Sequence, residues 1–443
     1  MLEKLSVVFI SLSCALAHAQ NPGGTWLKYQ TPEDAGFSTV KLERAKAFYN
    51  STPAKAVMIV SHGSVVAAWG DVERRYKCHS MRKSLLNSLF GIYVQRGMID
   101  INQNLGVLGI NDKIELTETE KTAKVSDLLK TRSGVYLPAA LEEKNTSRPK
   151  RGSHPPGTFQ YYNNWDFNVL GSIFVKATKQ DIFEAFKRDI ADPLGMQDFR
   201  IMDGACEYEE NSIHPGYPFK MSARDLARFG QLYLQNGRWN NKPIIDEKWI
   251  AATSTPYTSA TNMGNGATGY GYLWWIQDRP GEPRRYFALG WGEQYLGVFS
   301  DLDMVIVVRS DSYFGDYLND ESRERLVNLI VAAKTGNAKP NPKLEPLSSE
   351  QPQWKQKTVS AEGLNLFVGS YAFPAPTPAN INTNFTIKNL DGGLVIDGLH
   401  YAYRFRLLPL DDKIFFVEDI NLELSFDFDK NGRPINPRIR KSD

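Results

Sequence analysis

The sequence predicts an α+β protein: an antiparallel sheet flanked by helices, broken by an inserted helical subdomain and followed by a small all-β domain. Three observations predict this. A β-rich hairpin lies near the start of the chain and four strand-like runs lie close to residue 300, so one sheet can be drawn from both ends of a first domain. Residues 100 to about 255, between those ends, carry helical spacing and loops. A proline-rich stretch, KPNPKLEPLSSEQPQ, then leads to a tail of short strand-period runs with DGG and NG turns.

Each element follows in order. Residues 1–19 read as a signal peptide: a short charged start, the apolar run LSVVFISLSCALA and a small-residue cleavage site at Ala17 and Ala19. The run is too short for a comfortable membrane span and no stable span is expected once it is cleaved, so export to a periplasm or the medium is the expectation. Residues 20–336 form the first domain. Ser38 caps TVKLERAKAFYN, and AVMIVSHGSVVAAWG is two strands around a His62-Gly63 turn. After Ser80, residues Leu85, Leu86, Leu89, Phe90, Tyr93 and Val94 keep helical spacing until Gly97. KVSDLLKTRSG is a helix and its stop, and Ser222 with Asp225 opens the helix of SARDLARFGQLYLQNG. Strands follow in GYGYLWWIQD, RRYFALG, QYLGVFS and DMVIVVRSD, and a last amphipathic helix ends at Gly336. Residues 337–358 are the linker and 359–443 the all-β domain.

The chain has 443 residues, 42% apolar and 23% charged, which is the balance of a packed globular protein. A net charge of +2 gives no support to a nucleic-acid partner. The histidines form no H-x-H, H-E-x-x-H or Cys/His cluster, so neither zinc nor any other metal is expected, and no cofactor either. After removal of Cys14 two cysteines remain, Cys78 and Cys206, and whether they pair is open.

The chemistry centres on S-x-x-K. A chain of this length should show that pattern about twice by chance, and it occurs at Ser38–Lys41, Ser80–Lys83 and Ser147–Lys150. Ser38 is an N-cap before any strand, and Ser147 sits in a polar loop with a proline inside the pattern. Only Ser80 follows a hairpin and opens an apolar helix. A hydroxyl needs a base to become a nucleophile, and Lys83, one helical turn on, reaches it when its amine is neutral. The helix N-terminus adds N–H groups suited to an oxyanion. Two further stretches can complete such a site. PPGTFQYYNNWDFNVLGSIF offers Tyr-x-Asn in two registers, Tyr162 with Asn164 or Tyr161 with Asn163. LGWGEQYLGVFS brings bare backbone to the start of a strand, where a second oxyanion N–H can arise. His79 is badly placed to face the Ser80 hydroxyl, and no G-x-S-x-G occurs, so a Ser-His-Asp triad is not expected.

These three elements, in this order, resemble the β-lactamase-related serine hydrolases: class C β-lactamases, D-alanyl-D-alanine peptidases, and related esterases and aminohexanoate-oligomer hydrolases. The resemblance spans about residues 25 to 335 and includes MSARDLARFGQLYL and GYLWW. It implies a β-lactamase/transpeptidase-like fold, Ser80 as nucleophile, and Lys83 and Tyr162 as proton carriers. It also implies Asn164, Trp291, Gly292 and Gln294 around the substrate, with Gln294 as second oxyanion donor. Tyr162 with Asn164 is the register that sets Gly171 at the family's usual distance. The tail resembles the small barrel-like domain that follows some members. Trp291 stands where β-lactamases and peptidases usually carry the lysine that pairs with a substrate carboxylate. Glu293 adds a negative charge at a normally small position, and nothing in the sequence brings Arg284 or Arg285 into the cleft. An uncharged or cationic ester or amide, small or peptide-like, is therefore the expected acyl substrate. A β-lactamase or D-Ala-D-Ala peptidase is the alternative, and a non-catalytic binding protein on the same fold is the alternative of another class. Oligomeric state is not legible.

Overall fold

The computed structural model describes residues 21–142, 147–259, 265–348, 356–374, 381–390 and 392–442. The signal-peptide segment with Cys14, and part of the linker, lie outside the described residues.

The first domain opens with β1 (Leu27–Tyr29), α1 (Thr39–Asn50), the hairpin β2 (Ala54–Ser61) and β3 (Ser64–Gly70), the short β4 (Tyr76–Lys77), and α2 (Arg82–Gln95). The middle of the chain adds α3 (Asn164–Thr178), β5 (Lys220–Met221) and α4 (Ala223–Leu234). The domain closes with β6 (Thr258–Ser259), β7 (Gly269–Tyr270), β8 (Trp275–Gln277), β9 (Arg285–Gly290), β10 (Gln294–Phe299), β11 (Met304–Ser310), α5 (Asp320–Ala333) and β12 (Leu344–Pro346).

Ten of these strands form one sheet, in the order β12-β1-β3-β2-β11-β10-β9-β8-β7-β6. The predicted closure from both ends is the β2–β11 pairing, with Ile59 opposite Ile306. One parallel bridge, Lys28 to Val65, makes the sheet mixed rather than purely antiparallel. The central strands are apolar on both faces because both faces are covered. Val57, Ile59, Ile306 and Val308 pack toward α1 and α5 with Leu42, Leu326 and Ile330. Their alternating neighbours Met58, Val60, Val305 and Val307 pack on the other side with Leu226 of α4 and Leu85 and Leu89 of α2. Helix α2 is buried from Arg82 to Tyr93, polar residues included, so the segment that follows Ser80 is clamped on every side.

The second domain is a seven-stranded antiparallel meander: β13 (Gly369–Ala372), β14 (Asn384–Leu390), β15 (Gly393–His400), β16 (Tyr403–Pro409), β17 (Ile414–Val417), β18 (Leu422–Phe428) and β19 (Pro434–Lys441). Its first and last strands lie against each other, making a near-barrel around Ile387, Ile396, Phe405, Phe415 and Leu424. The proline-rich stretch is not extended coil throughout. Leu344–Pro346 pairs antiparallel with β1, an edge position where a proline costs no ladder bond on its outer side.

The two domains meet through buried charge. Asp419 lies 2.9 Å from Arg75 and 2.8 Å from Lys220, and Glu418 lies 2.7 Å from Arg200. Burial alone would push the Asp419 carboxyl up, but Arg75, Lys220 and Arg200 outweigh it and hold it well below the ordinary range. Cys78 is buried and Cys206 exposed, and both are free thiols.

Candidate active site

Strand β4 runs into a single 3-10 turn, His79–Met81, and then into α2. His79 adopts φ +47°, a conformation that costs a non-glycine residue about 1 kcal/mol or more. Cys78 O closes the turn by accepting the Met81 N–H at 3.0 Å. Ser80 is left half-exposed, while Lys83 on the next turn is only 2% exposed. The Lys83 amine lies 2.8 Å from Ser80 Oγ and 2.7 Å from the Tyr162 hydroxyl. It also stands 4.3 Å from the Tyr162 ring centre and 4.2 Å from that of Phe167. The amine is thus buried between two hydroxyl oxygens and two aromatic faces.

Tyr162 is placed by the start of α3. Asn163 caps that helix, its side-chain oxygen accepting the Trp165 N–H at 3.2 Å. The same side chain donates to Val135 O at 2.7 Å and to Asp166 Oδ1 at 3.0 Å. Ser133 donates to that carboxylate oxygen too, at 2.5 Å. Burial pushes the Asp166 carboxyl well above its usual range. The Tyr162 ring stacks on Trp275, with centroids 5.1 Å apart. Tyr161 instead meets Tyr136 edge-on. The geometry thus joins Tyr162, not Tyr161, to Lys83, and makes Asn163 a buried cap. Asn164 is half-buried and donates to Leu141 O at 2.9 Å.

The third element is the turn between β9 and β10, closed by the Gly290–Gln294 pair. Gly292 at φ +75° and Glu293 at φ +59° both take the left-handed conformation that the turn needs. The strand end presses on the nucleophile's turn: a Cβ at Gly290 would fall 2.3 Å from Cys78 O. Gly290 is the first of the two glycines in L-G-W-G, the pattern that marks bare backbone in the sequence. The Gln294 side chain points to β11, donating to Ser310 O at 2.8 Å and accepting the Ser310 N–H at 3.3 Å. Trp291 is 47% exposed, and its ring lies 4.4 Å from Tyr317 and 5.4 Å from His79. His79 Nε2 is 2.7 Å from Ser312 Oγ, and burial drives its imidazole well below the ordinary range. It is bonded away from Ser80.

One electrostatic expectation changes. Glu293 does not bring an unmatched negative charge to the cleft, because its carboxylate lies 2.6 Å from the buried Arg323. Arg323 itself is held by Glu324 and Asp320 as well. Arg285 is buried against Glu324 at 2.7 Å, and Arg284 lies 3.4 Å from Asp278 and donates to Ser254 O. Both guanidinium groups are spent on structural partners. What the site offers is a hydroxyl bonded to an amine, a tyrosine bonded to the same amine, and strand-end backbone beside the hydroxyl's turn. Such a set can move a proton off Ser80 and pass it on to a leaving group.

A family model described as Beta-lactamase matches residues 41–328. No curated protein matches the chain. Among solved structures it is similar to the octameric penicillin-binding protein homologue from Pyrococcus abyssi, at 18% identity and TM-score 0.52, over 90% of this chain and 100% of that one. It is similar to a protein assigned as a 6-aminohexanoate-dimer hydrolase from Bacillus anthracis, at 20% identity and TM-score 0.51, over 65% of this chain and 80% of that one. It is also similar to a class C beta lactamase from Rhodobacter sphaeroides, at 15% identity and TM-score 0.50, over 65% of this chain and 98% of that one. These likenesses concern the fold.

Proposed function

This chain belongs to the beta-lactamase family, and from that premise we propose that it is an exported serine hydrolase cleaving an ester or amide through an acyl-enzyme. The observation that carries the reading is the unbroken path Ser80–Lys83–Tyr162, with hydrogen bonds of 2.8 and 2.7 Å. Ser80 Oγ attacks the acyl carbon as its proton passes to the neutral Lys83 amine. Tyr162 relays a proton to the leaving alkoxide or amine, and the carbonyl C–O or C–N bond breaks. Water then attacks the acyl-Ser80 ester, giving up its proton to Lys83; the acyl C–Oγ bond breaks, the proton returns to Ser80 Oγ, and the acid is released. The Ser80 amide at the helical start and the Gln294 amide at the strand end are the proposed oxyanion donors.

Substrate class follows from Trp291. It is apolar and half-exposed at the third element, and it cannot pair with a carboxylate. With Glu293 matched by Arg323, support for a cationic substrate falls away and an uncharged acyl group is preferred. The N-terminal signal-like run supports export. The test is to treat the mature protein and Ser80→Ala with a fluorophosphonate probe, a chromogenic short-chain ester and a chromogenic cephalosporin. Labelling and ester turnover that vanish in Ser80→Ala are expected. Their absence in the unaltered protein would remove the enzyme reading, and fast cephalosporin turnover would overturn the substrate argument.

A further inference from the structure

The segment that presents Ser80 is braced from two sides, and only one of them belongs to its own domain. On the sheet side, the buried Arg309 guanidinium donates to Tyr76 O at 2.8 Å and Lys77 O at 3.1 Å, and Gly290 packs on Cys78 O. On the other side the Lys77 side chain, 4% exposed, reaches into the second domain, where its amine lies 3.0 Å from His400 Nε2. His400 ends β15 at the turn toward β16 and is 1% exposed.

The placing of these groups is unusual for a structural contact. Lys77 stands directly opposite Lys220 in the β4–β5 pair, and two like charges so placed repel. Lys220 takes the carboxylates, Asp419 at 2.8 Å and Asp203 at 3.3 Å. Lys77 is left with softer partners, the His400 ring nitrogen and the face of Tyr313 at 4.5 Å. Asp311 and His79 also act on the pair, and Tyr401 and Tyr403 pack beside the His400 ring. Burial pushes the Lys77 amine down to about 7, and burial followed by Lys77 pushes His400 down to about 3. His400 is therefore neutral and accepts through Nε2. Its Nδ1 is buried without a hydrogen-bond partner, so the ring is held in place by Lys77 and by the packing of Tyr313 at 5.3 Å.

We propose that His400 is a positioning residue for the nucleophile: by accepting from Lys77, three residues before Ser80, it makes the second domain a brace of the catalytic turn. This rests on the reading of Ser80 as nucleophile. The second domain is then part of the working enzyme rather than an appended module.

The test measures fluorophosphonate labelling, and kcat and KM on a chromogenic ester, for the full chain, Ser80→Ala, His400→Ala, His400→Gln and Lys77→Met, with thermal melting beside each. Loss of labelling in the unaltered protein would sink the nucleophile reading, and this proposal with it. Given a labelled unaltered protein and a silent Ser80→Ala, the variants speak for His400 alone. His400→Ala is expected to lower kcat about 10- to 100-fold, the cost of a small misplacement of reacting groups, with KM nearly unchanged. His400→Gln, whose amide oxygen can accept from Lys77, is expected to recover most of that loss. Lys77→Met should match the kcat of His400→Ala, and it reads the link even where the alanine variant does not fold. It should also lose an alkaline decline in kcat/KM beginning near pH 7, where the Lys77 hydrogen bond stops being charge-assisted. Wild-type kcat in His400→Ala or in Lys77→Met, equal damage from Ala and Gln at position 400, or a decline near pH 7 that survives Lys77→Met would each overturn it.

Discussion

The amine of Lys83 is one hydrogen bond, 2.8 Å, from the hydroxyl of Ser80. On the proposed mechanism, replacing Lys83 takes the base from the nucleophile. Lys83→Met should lower kcat/KM on an ester by about 10²- to 10⁴-fold, and Lys83→Arg should fare no better, since a guanidinium does not give up its proton near neutral pH. Tyr162→Phe, which keeps the ring on Trp275, should lower kcat by about 10²-fold and leave KM nearly unchanged. Steady-state kinetics on one chromogenic ester reads all three.

On the proposed reading, Trp291 selects the acyl group, and a charge placed there tests it. Trp291→Lys installs a cation at a half-exposed site, where such a charge pair is worth about 0.2–1 kcal/mol. That converts to a gain of about 1.4- to fivefold in kcat/KM for an ester bearing a carboxylate, relative to its uncharged analogue. No change in that ratio would place Trp291 away from the substrate.

The close approach of Gly290 to Cys78 O predicts a substitution that lowers turnover in a protein that still folds. A methyl group there meets backbone at 2.3 Å, so the turn bearing Ser80 has to shift. Gly290→Ala should cost about 1–3 kcal/mol of stability as overpacking yet reduce turnover by about 10²-fold. Melting and kcat measured on the same preparation separate the two.

The seam around Asp419 predicts acid lability. Its folded-state pKa is depressed by Arg75, Lys220 and Arg200 against the opposing effect of burial. The stabilisation is therefore present above the unfolded value, about 3.9, and is lost as the pH falls through the folded one. Melting temperature should drop steeply below about pH 4. Asp419→Asn should melt lower at pH 7, because Arg75, Lys220 and Arg200 each lose one carboxylate partner, and should show a shallower fall on acidification.

Much of the site was legible because its parts are local. Ser80 and Lys83 share one helical turn, and Tyr162 sits in a short aromatic run just before an apolar helix. The His62-Gly63 turn and the Ser222 cap were legible for the same reason. The electrostatics were not. Glu293 read as an open charge because Arg323 lies on a helix beyond two further strands. Asn163 read only as the alternative register to Asn164, and its buried capping role does not show in the sequence. The contact of Lys77 with His400 joins positions far apart in the chain and in different domains, and no periodicity announces it.

The strand Leu344–Pro346, laid along Leu27–Tyr29, has a further consequence for handling the protein. Without it, β1 would offer a free row of backbone donors and acceptors, a template on which a second molecule can add its own strand. A proline in the covering strand makes that strand a poor template in turn. Chains cut before Leu344 should self-associate as concentration rises, while chains cut just after Pro346 keep the sheet sealed, even though both lack the second domain.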